Sequence, residues 1–318
     1  MKETTKDLLK NLYRPPKHSH KGQNGKLTII GGSRLFHGAS LWALKTASRI
    51  VDMVFYATVP ENEELTKKLK SEIYDFICVP RGEIESYIKE SDAILIGPGM
   101  TRDDNVKLQM KNAKLQLKIQ NLTERDWQKN TFKITQHLLA KFPQKKWIID
   151  AGGLQVMEAE WLKKLDNVII TPHFKEFCQL FKIQNPKQYQ NSNEQSSKQL
   201  FKFVSEKAEE YRVAIVLKGP IDIICSPKKC LVNKTGNEGM TKGGTGDVLA
   251  GLIAALACKN DLFLAAAAGV YINGLAADRL YKKVGPYFNA SGLCDEIPKV
   301  MKESMEFYLP AGRLAKFA

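Results

Sequence analysis

Short runs of apolar, β-branched residues alternate along the chain with longer stretches of helical periodicity. Most of these runs end at Gly, Pro, Asp or His, as buried strands often do. Because continuous apolar strands separated by helices are typical of parallel sheets covered on both faces, the pattern predicts an α/β fold with a mainly parallel central sheet and helices on both faces. The runs are KLTIIGG (26–32), DMVFYATV (52–59), FICVP (76–80), AILIGPG (93–99), KWIIDAGG (146–153) and NVIITPH (167–173).

The pattern changes in the later part of the chain, where the apolar runs lie too close together for helices between them. We expect these runs to be antiparallel strands at one end of the sheet. They are VAIVLKG (213–219), IDIIC (221–225) and KCLVN (229–233). Helical periodicity predicts helices at Gly38–Val51, Thr66–Lys70, Leu262–Lys282 and Ser291–Tyr308.

The sequence has no internal repeat and no low-complexity linker, so we expect a single domain at 26–318 behind an N-terminal arm at 1–25. A helical insertion is predicted around 107–129, where leucines share one face beside a stripe of lysines at helical spacing. Two interpretations of this insertion remain open. It is either a lid or subunit contact, or a packed helix with a solvated lysine face.

Composition places the chain of 318 residues among soluble globular proteins, with 43% hydrophobic and 26% charged residues. The formal net charge of +14 fits either a phosphate-bearing partner or a lysine-rich solvated surface. Basic residues do not alternate regularly with aromatic ones, so we expect no nucleic-acid partner. No run approaches the ~20 apolar residues of a membrane span, and none resembles a signal peptide. We therefore expect a cytoplasmic protein that does not enter a membrane.

The six cysteines show no Cys-x-x-Cys spacing, and most lie inside apolar runs. This usage predicts buried, reduced thiols, not disulfides or a zinc site.

A glycine-rich segment precedes an apolar helical pattern in MTKGGTGDVLAGLIAALA (240–257). The helix is expected to begin near Thr245. Glycines at a helix start leave its free N–H groups accessible, and the helix dipole adds positive potential, so the segment predicts an anion site. Asp247 lies in the first turn, where the dipole alone favours an acid. It can also take a proton from a hydroxyl that attacks a bound terminal phosphate.

IITPHFKEF (169–177) places His173 and Glu176 three residues apart where a strand meets a helix. This spacing is typical of a capping box, with Thr171 or His173 near the cap. A single carboxylate also suits a magnesium ion held through water in phosphate chemistry.

Other strand ends are candidates for ligand contact. In VLKGPID (216–222) a strand ends at Lys218. Either this lysine reaches a phosphate, or the loop that follows it frames a base. IGGSRLFHGAS (30–40) and IGPGM (96–100) are either tight turns or places where a ligand approaches the backbone. The first of these matches neither the Gly-x-Gly-x-x-Gly fingerprint nor a P-loop.

Taken in order, these segments resemble the NAD(P)H-hydrate dehydratase family, which has the ribokinase-like fold. Enzymes of this family repair cofactor that has taken up water at C6 of the dihydronicotinamide ring. They phosphorylate the C6 hydroxyl with ADP or ATP, and loss of phosphate then restores NAD(P)H. The matching segments are SHKGQNGKLTIIGGS, HGAS, ILIGPG, WIIDAGGL, ITPHFKEF, IVLKG, TGNEGMTKGGTGDVLAGLIAAL and AAGVYINGLAAD, which cover the chain from about residue 19 onward.

The resemblance implies a role for each matching residue, with Asp247 as the catalytic acid/base. The site for the hydrated dinucleotide, NADHX or NADPHX, consists of Ala39, Gly99, His173 and Asp247. The adenine-nucleotide site consists of Lys218, Gly219, Pro220, Ile221 and Asp222 in one loop and Gly243, Gly244, Thr245 and Gly246 at the helix start. Glu176 is expected to hold Mg²⁺ through water.

The sequence departs from the usual family pattern in three places. DAGGL has Gly152 where a second acid is common, which leaves Asp150 as the carboxylate at that edge. HFKE replaces His-Pro-Gly-Glu but keeps His173 and Glu176. KGPID lacks the usual small loop that ends in threonine.

The resemblance also implies partners. We expect a homo-oligomer and, because no epimerase domain precedes the matching region, a separate epimerase that interconverts the R and S hydrates. The alternative function is a small-molecule kinase of the same superfold that acts on a vitamin precursor or a sugar. A stable phosphorylated product would distinguish the kinase from the dehydratase.

Overall fold

The computed structural model describes residues 8–69, 71–101, 130–186 and 194–306. Within these ranges, nine strands form one sheet in the order β3-β2-β1-β4-β5-β6-β7-β8-β9. Strands β1 to β7 pair in parallel, and β8 and β9 continue the sheet as antiparallel strands. The predicted sheet is therefore confirmed. The strands are β1 (Lys26–Ile30), β2 (Met53–Ala57), β3 (Ile77–Cys78), β4 (Ala93–Ile96), β5 (Lys146–Ile149), β6 (Asn167–Ile170), β7 (Ala214–Leu217), β8 (Asp222–Cys225) and β9 (Cys230–Asn233).

Helices cover both faces of the sheet. In the described ranges they are α1 (His37–Ala47), α2 (Glu63–Leu69), α3 (Ile84–Glu90), α4 (Thr131–Lys141), α5 (Ala151–Val156), α6 (Phe174–Leu180), α7 (Glu194–Tyr211), α8 (Thr245–Ala257), α9 (Leu262–Val284) and α10 (Ala290–Glu306). Helices α1, α8, α9 and α10 enclose one core, and α3 to α7 enclose the other. Successive strand residues point to opposite faces, so Leu95 enters the first core while Ile94 and Ile96 enter the second.

Helix boundaries differ from the periodicity by a few residues. Helix α1 ends at Ala47, four residues before the predicted Val51, because the backbone tightens there and Ile50 N–H donates to Ala47 O. The predicted start of α8 at Thr245 is confirmed. The predicted insertion at 107–129 lies outside the described residues. Across the described part of the chain, every helix is too short or too polar to cross a membrane.

The described part of the N-terminal arm, residues 8–25, packs onto the domain. Leu8, Leu9 and Leu12 are buried in the core formed by α1 and α8 to α10. Tyr13 N–H donates to the Asn260 side-chain carbonyl at 2.7 Å, which ties the arm to the loop between α8 and α9. These three leucines thus belong to the core of the sheet domain.

The interpretation of all six cysteines as reduced thiols is wrong for two of them. Cys225 ends β8 and Cys230 begins β9, and the antiparallel register places them directly opposite each other, where they form a disulfide. The hairpin register brings these two cysteines together. Their spacing along the chain matches no known cysteine motif, so the sequence did not indicate the pair. The other four cysteines are free thiols. Cys258 and Cys294 are buried, and Cys78 and Cys178 are partly buried.

Candidate active site

Three neighbouring parallel strands deliver polar side chains to one edge of the sheet. Asp150 directly follows β5, Thr171 follows β6, and Lys218 follows β7. A backbone hydrogen bond of 2.9 Å from Lys218 N–H to Pro172 O extends the β6–β7 pairing by one step. The carboxyl ends of strands in open α/β sheets are where ligands usually bind.

A buried ion pair lies at the centre of this edge. Lys218 Nζ is 2.8 Å from Asp150 Oδ1, and the Thr171 hydroxyl donates to the same oxygen at 2.8 Å. The Asp150 side chain is only 2% exposed. Burial works against the Lys218 charge, but the carboxylates of Asp150 and Glu176 outweigh it and raise the pKa of Lys218 above its ordinary value. Lys218 therefore stays protonated as a fixed positive charge.

Asp247 joins this cluster from the first turn of α8. Burial raises the pKa of Asp247 to about 7, with further help from the negative charge of Asp150, while Lys218 opposes the shift. A carboxyl group with this pKa is partly protonated near neutral pH, whereas an ordinary aspartate is fully ionised there. Such a group is well matched to general acid–base catalysis.

Glu176 lies in the first turn of α6, where three hydrogen bonds fix it. The Glu176 backbone N–H donates to His173 Nδ1 at 3.2 Å, and His173 N–H donates to Glu176 Oε2 at 3.0 Å. This reciprocal pair is a capping box with His173 at the N-cap, which decides between the two caps that the sequence allowed. Gln155 Nε2 donates to the other oxygen, Oε1, at 2.8 Å, so the buried carboxylate has a fixed orientation.

The residues present fit a hydrated magnesium ion better than a protein-built metal cage. Among the described residues there is no group of three or more His, Cys, Asp or Glu side chains placed to hold a metal. Mg²⁺ commonly keeps several waters and binds one or two carboxylates together with substrate phosphates. The fixed carboxylate of Glu176 suits this second mode.

The glycines at the start of α8 fall into two groups. Gly244 is required by the fold, because its φ is +96° and a Cβ there would lie 2.4 Å from the Trp42 ring. Apart from its chain neighbours, Gly243 has no heavy atom within 4 Å of its Cβ position. Outside the local helix backbone, Gly246 has only Lys218 Nζ, at 3.7 Å. The space beside these two glycines is open, so a ligand can approach the free N–H groups of the helix.

Thr245 contributes to the shape of this segment. Its Oγ1 lies 2.6 Å from Met240 O and 3.0 Å from Lys242 O, so the hydroxyl donates to the backbone of the preceding turn. The Thr245 side chain is buried, and its hydroxyl holds the glycine-rich segment against the helix.

The loop from Lys218 to Asp222 is closed by its last residue. Gly219 N–H donates to Asp222 Oδ1 at 3.0 Å, and Asn233 Nδ2 donates to Asp222 Oδ2 at 3.1 Å. Burial raises the pKa of Asp222. Pro220 and Ile221 are exposed at the tip of the loop. Lys218 turns away from the tip, toward Asp150 and the start of α8.

Ala39 and Gly99 meet just after the end of β4, the strand next to β5. Gly99 has a φ of +70°, and a Cβ there would lie 2.1 Å from Phe36 O and 3.2 Å from the Ala39 Cβ. The same loop packs against the backbone of Asp150, because a Cβ on Gly97 would lie 1.8 Å from the Asp150 carbonyl oxygen. The loop from Gly97 to Gly99 therefore joins the two groups of predicted site residues.

Sequence reasoning missed three features of this region. The ion pair between Lys218 and Asp150 links positions 68 residues apart, and the sequence predicted only that Lys218 reaches a phosphate or that its loop frames a base. The hydrogen bond from Gln155 to Glu176 gives no local signal. The contact of Trp42 with Gly244 depends on how α1 packs against α8. The sequence indicated only that strands end near Asp150, Glu176 and Lys218, and it did not indicate which side chains meet there.

The sheet order, the helices on both faces and the glycine-rich start of α8 beside an acid define a ribokinase-like α/β protein. A solved ribokinase-like superfamily protein from Enterococcus faecalis V583 has the same fold, with a TM-score of 0.73 at 24% identity, covering 94% of each chain. The ADP/ATP-dependent NAD(P)H-hydrate dehydratase from Bacillus subtilis, co-crystallised with ATP/Mg²⁺, matches with a TM-score of 0.73 at 25% identity, over 95% of this chain and 97% of that one.

The chain belongs to the NAD(P)H-hydrate dehydratase family, whose model matches residues 27–299. An ADP-dependent (S)-NAD(P)H-hydrate dehydratase from Nitrosopumilus maritimus is 33% identical over 89% of this chain and 91% of its own length. A bifunctional NAD(P)H-hydrate repair enzyme from Methanocaldococcus jannaschii is 34% identical over 92% of this chain. The chain spans about half of that enzyme, 51% of its length.

Proposed function

We propose that the protein catalyses the nucleotide-dependent dehydration of (S)-NAD(P)H hydrate back to NAD(P)H and so acts in metabolite repair. The observation that carries this proposal is Asp247, a carboxyl group with a pKa of about 7 beside the open glycines of the α8 start. Family membership and the name of the relative from Nitrosopumilus maritimus support the same reaction.

In this proposal the first step is phosphoryl transfer to the C6 hydroxyl of the hydrate. Asp247 accepts the hydroxyl proton while the oxygen attacks the terminal phosphorus of the nucleotide, and the bond from that phosphorus to the bridging oxygen breaks. Phosphate then leaves C6 with the electrons of the C–O bond. Loss of a proton from C5 to water then forms the C5=C6 double bond of NAD(P)H.

Each side of the site has a proposed ligand. The N–H groups from Gly243 to Gly246 and the charge of Lys218 would bind the nucleotide phosphates, and the loop that ends at Asp222 would frame the adenosine. Ala39 and Gly99, with His173 and Asp247, would contact the hydrated dinucleotide. Mg²⁺, when bound, would neutralise charge on the terminal phosphates, and Glu176 would hold it through water.

The wider assignments are also proposals. The phosphate donor is ADP or ATP, as the names of the relatives suggest. We propose that a separate epimerase supplies the S hydrate from the R form, that the protein forms a homo-oligomer, and that it acts in the cytoplasm on soluble dinucleotides.

The test follows the near-ultraviolet absorbance of the dihydronicotinamide ring with purified protein, hydrated NADH or NADPH, and magnesium. ADP and ATP are added in separate reactions. We expect the band to return with at least one nucleotide, which also identifies the donor. A stable phosphorylated product without return of the band would refute the dehydratase and support the small-molecule kinase.

A further inference from the structure

Trp42 on α1 packs directly against the N-cap of α8. A Cβ on Gly244 would lie 2.4 Å from Trp42 Cε3 and 2.5 Å from Cζ3. The same Cβ position would also lie 2.8 Å from the Ala290 Cβ at the start of α10. The Trp42 indole N–H donates to the Ser291 hydroxyl at 3.2 Å, which anchors the ring to the start of α10. Three helices therefore converge on one glycine.

The contact of Trp42 with Gly244 restricts the backbone conformation of the glycine-rich segment. Gly244 has a φ of +96° and sits between Gly243 and Gly246, the two positions with open space beside them. A change in the φ of Gly244 would turn the neighbouring N–H groups away from a common ligand. The Trp42 ring occupies the space where a side chain at Gly244 would lie, so the backbone at Gly244 cannot shift toward α1.

Helix α1 also extends toward the predicted dinucleotide site. It carries Ala39, which contacts Gly99, three residues before Trp42. One residue after Trp42, Ala43 lies so close to α8 that a Cβ on Gly251 would be 2.5 Å from Ala43 O. The two helices are locked together there, so Trp42 has little freedom to move relative to α8.

We propose that Trp42 is a positioning residue for the phosphate donor: it holds the α8 start in the conformation that receives the nucleotide phosphates. The assignment rests on the proposed function for the identity of the nucleotide. It concerns binding and not the chemical step, because Trp42 acts through Gly244. Trp42 is partly buried, like Trp161, which packs against Phe132 on the other face of the sheet.

Trp161 provides a matched control for loss of a partly buried indole. We expect Trp42→Ala to raise the KM for the nucleotide about tenfold, because binding must then supply the cost of ordering the α8 start. Trp42→Phe should show a smaller increase, since it keeps a ring near Gly244 but loses the bond to Ser291. Trp161→Ala should leave the nucleotide KM unchanged even if it lowers the melting temperature. An unchanged KM in Trp42→Ala, or an equal rise in Trp161→Ala, would overturn the assignment.

An equilibrium measurement separates this inference from the proposed reaction. ADP with magnesium is titrated into the Trp161→Phe variant, which keeps Trp42, while intrinsic fluorescence is recorded. We expect the emission to change on binding, and the change to be lost in Trp42→Phe. Calorimetry with ADP then gives the dissociation constants, which should be weaker for Trp42→Ala. Equal dissociation constants would refute the inference, whether or not the hydrate is dehydrated.

Discussion

Asp247 acquires its unusual chemistry from its neighbours. Its first-turn position is ordinary for an acid, because helix dipoles favour negative charge there. Burial and the nearby Asp150 charge raise its pKa from 3.8 to about 7, although Lys218 opposes them. The residue can therefore exchange a proton at neutral pH, as a base for an attacking hydroxyl requires.

The pKa of Asp247 predicts the pH dependence of the reaction. A general base must be unprotonated, so kcat/KM should fall as the pH drops below about 7, where Asp247 gains its proton. Steady-state rates measured across the neutral range with saturating magnesium would show this acid limb. A limb centred near the ordinary aspartate pKa would contradict the assignment.

Asp247→Asn is the matched variant for this experiment. Asparagine keeps the shape of the side chain but cannot accept the proton. Turnover should drop by ~10²–10⁴-fold, the usual effect of losing a general base, while ADP binding stays nearly intact. Full activity in this variant would remove Asp247 from the mechanism.

Substitution of Gly246 tests the proposed phosphate site. Its Cβ position is open in the folded protein, with only Lys218 Nζ at 3.7 Å, so Gly246→Val should fold normally. The valine side chain would occupy the space beside the free N–H groups, and we expect nucleotide binding to be lost. Calorimetric titration with ADP measures this. Normal nucleotide affinity in a folded variant would place the phosphates elsewhere.

At the scale of elements, the start of α8 is positioned by its packing with α1. The helices approach so closely at Gly251 that a Cβ would lie 2.5 Å from Ala43 O and 2.6 Å from Ala43 Cα. Backbone atoms of α1 cannot move aside as a flexible side chain would. The contact therefore sets the distance between the two helices that carry Asp247 and Ala39.

We expect Gly251→Ala to destabilise the protein by about 1–3 kcal/mol, as overpacking a core usually does, although alanine is the better helix former. Urea unfolding measures the change. Gly246→Ala in the same helix serves as the control, because open space surrounds that position and stability should change by less than about 1 kcal/mol. Equal effects of the two substitutions would show that packing against α1 is not the cause.

At the scale of the whole molecule, the site is a local source of instability. The folded protein binds the Asp247 proton more tightly than the unfolded chain does, because the pKa is about 7 in the folded state against an ordinary 3.8. Stability from this group therefore falls as the pH rises from about 4 to about 7, and the full loss is present above that range.

Asp247→Asn should remove this loss. The variant is expected to melt at a higher temperature than the wild type at about pH 8, where the wild-type carboxyl group is ionised. At about pH 4 the wild-type group is protonated in the folded state, and the difference should largely disappear. Thermal melts at the two pH values test the sign. A gain of the same size at both values would point to a cause other than ionisation.

The sequence by itself determined the sheet class, the antiparallel end and the start of α8. These follow from the local order of apolar runs and turn residues, which a chain carries wherever it folds. It also singled out Asp247 and the pair of His173 and Glu176, because short spacings carry the signals of a helix start and a capping box.

Only the tertiary structure decided which of these groups touch. The ion pair of Lys218 with Asp150 and the pKa of Asp247 depend on residues far apart in sequence that meet at one sheet edge. The disulfide of Cys225 with Cys230 depends on a hairpin register. Such contacts arise from strand order and helix packing, so they leave no periodic trace in the sequence, whereas burial and charge at these contacts determine the chemistry of the site.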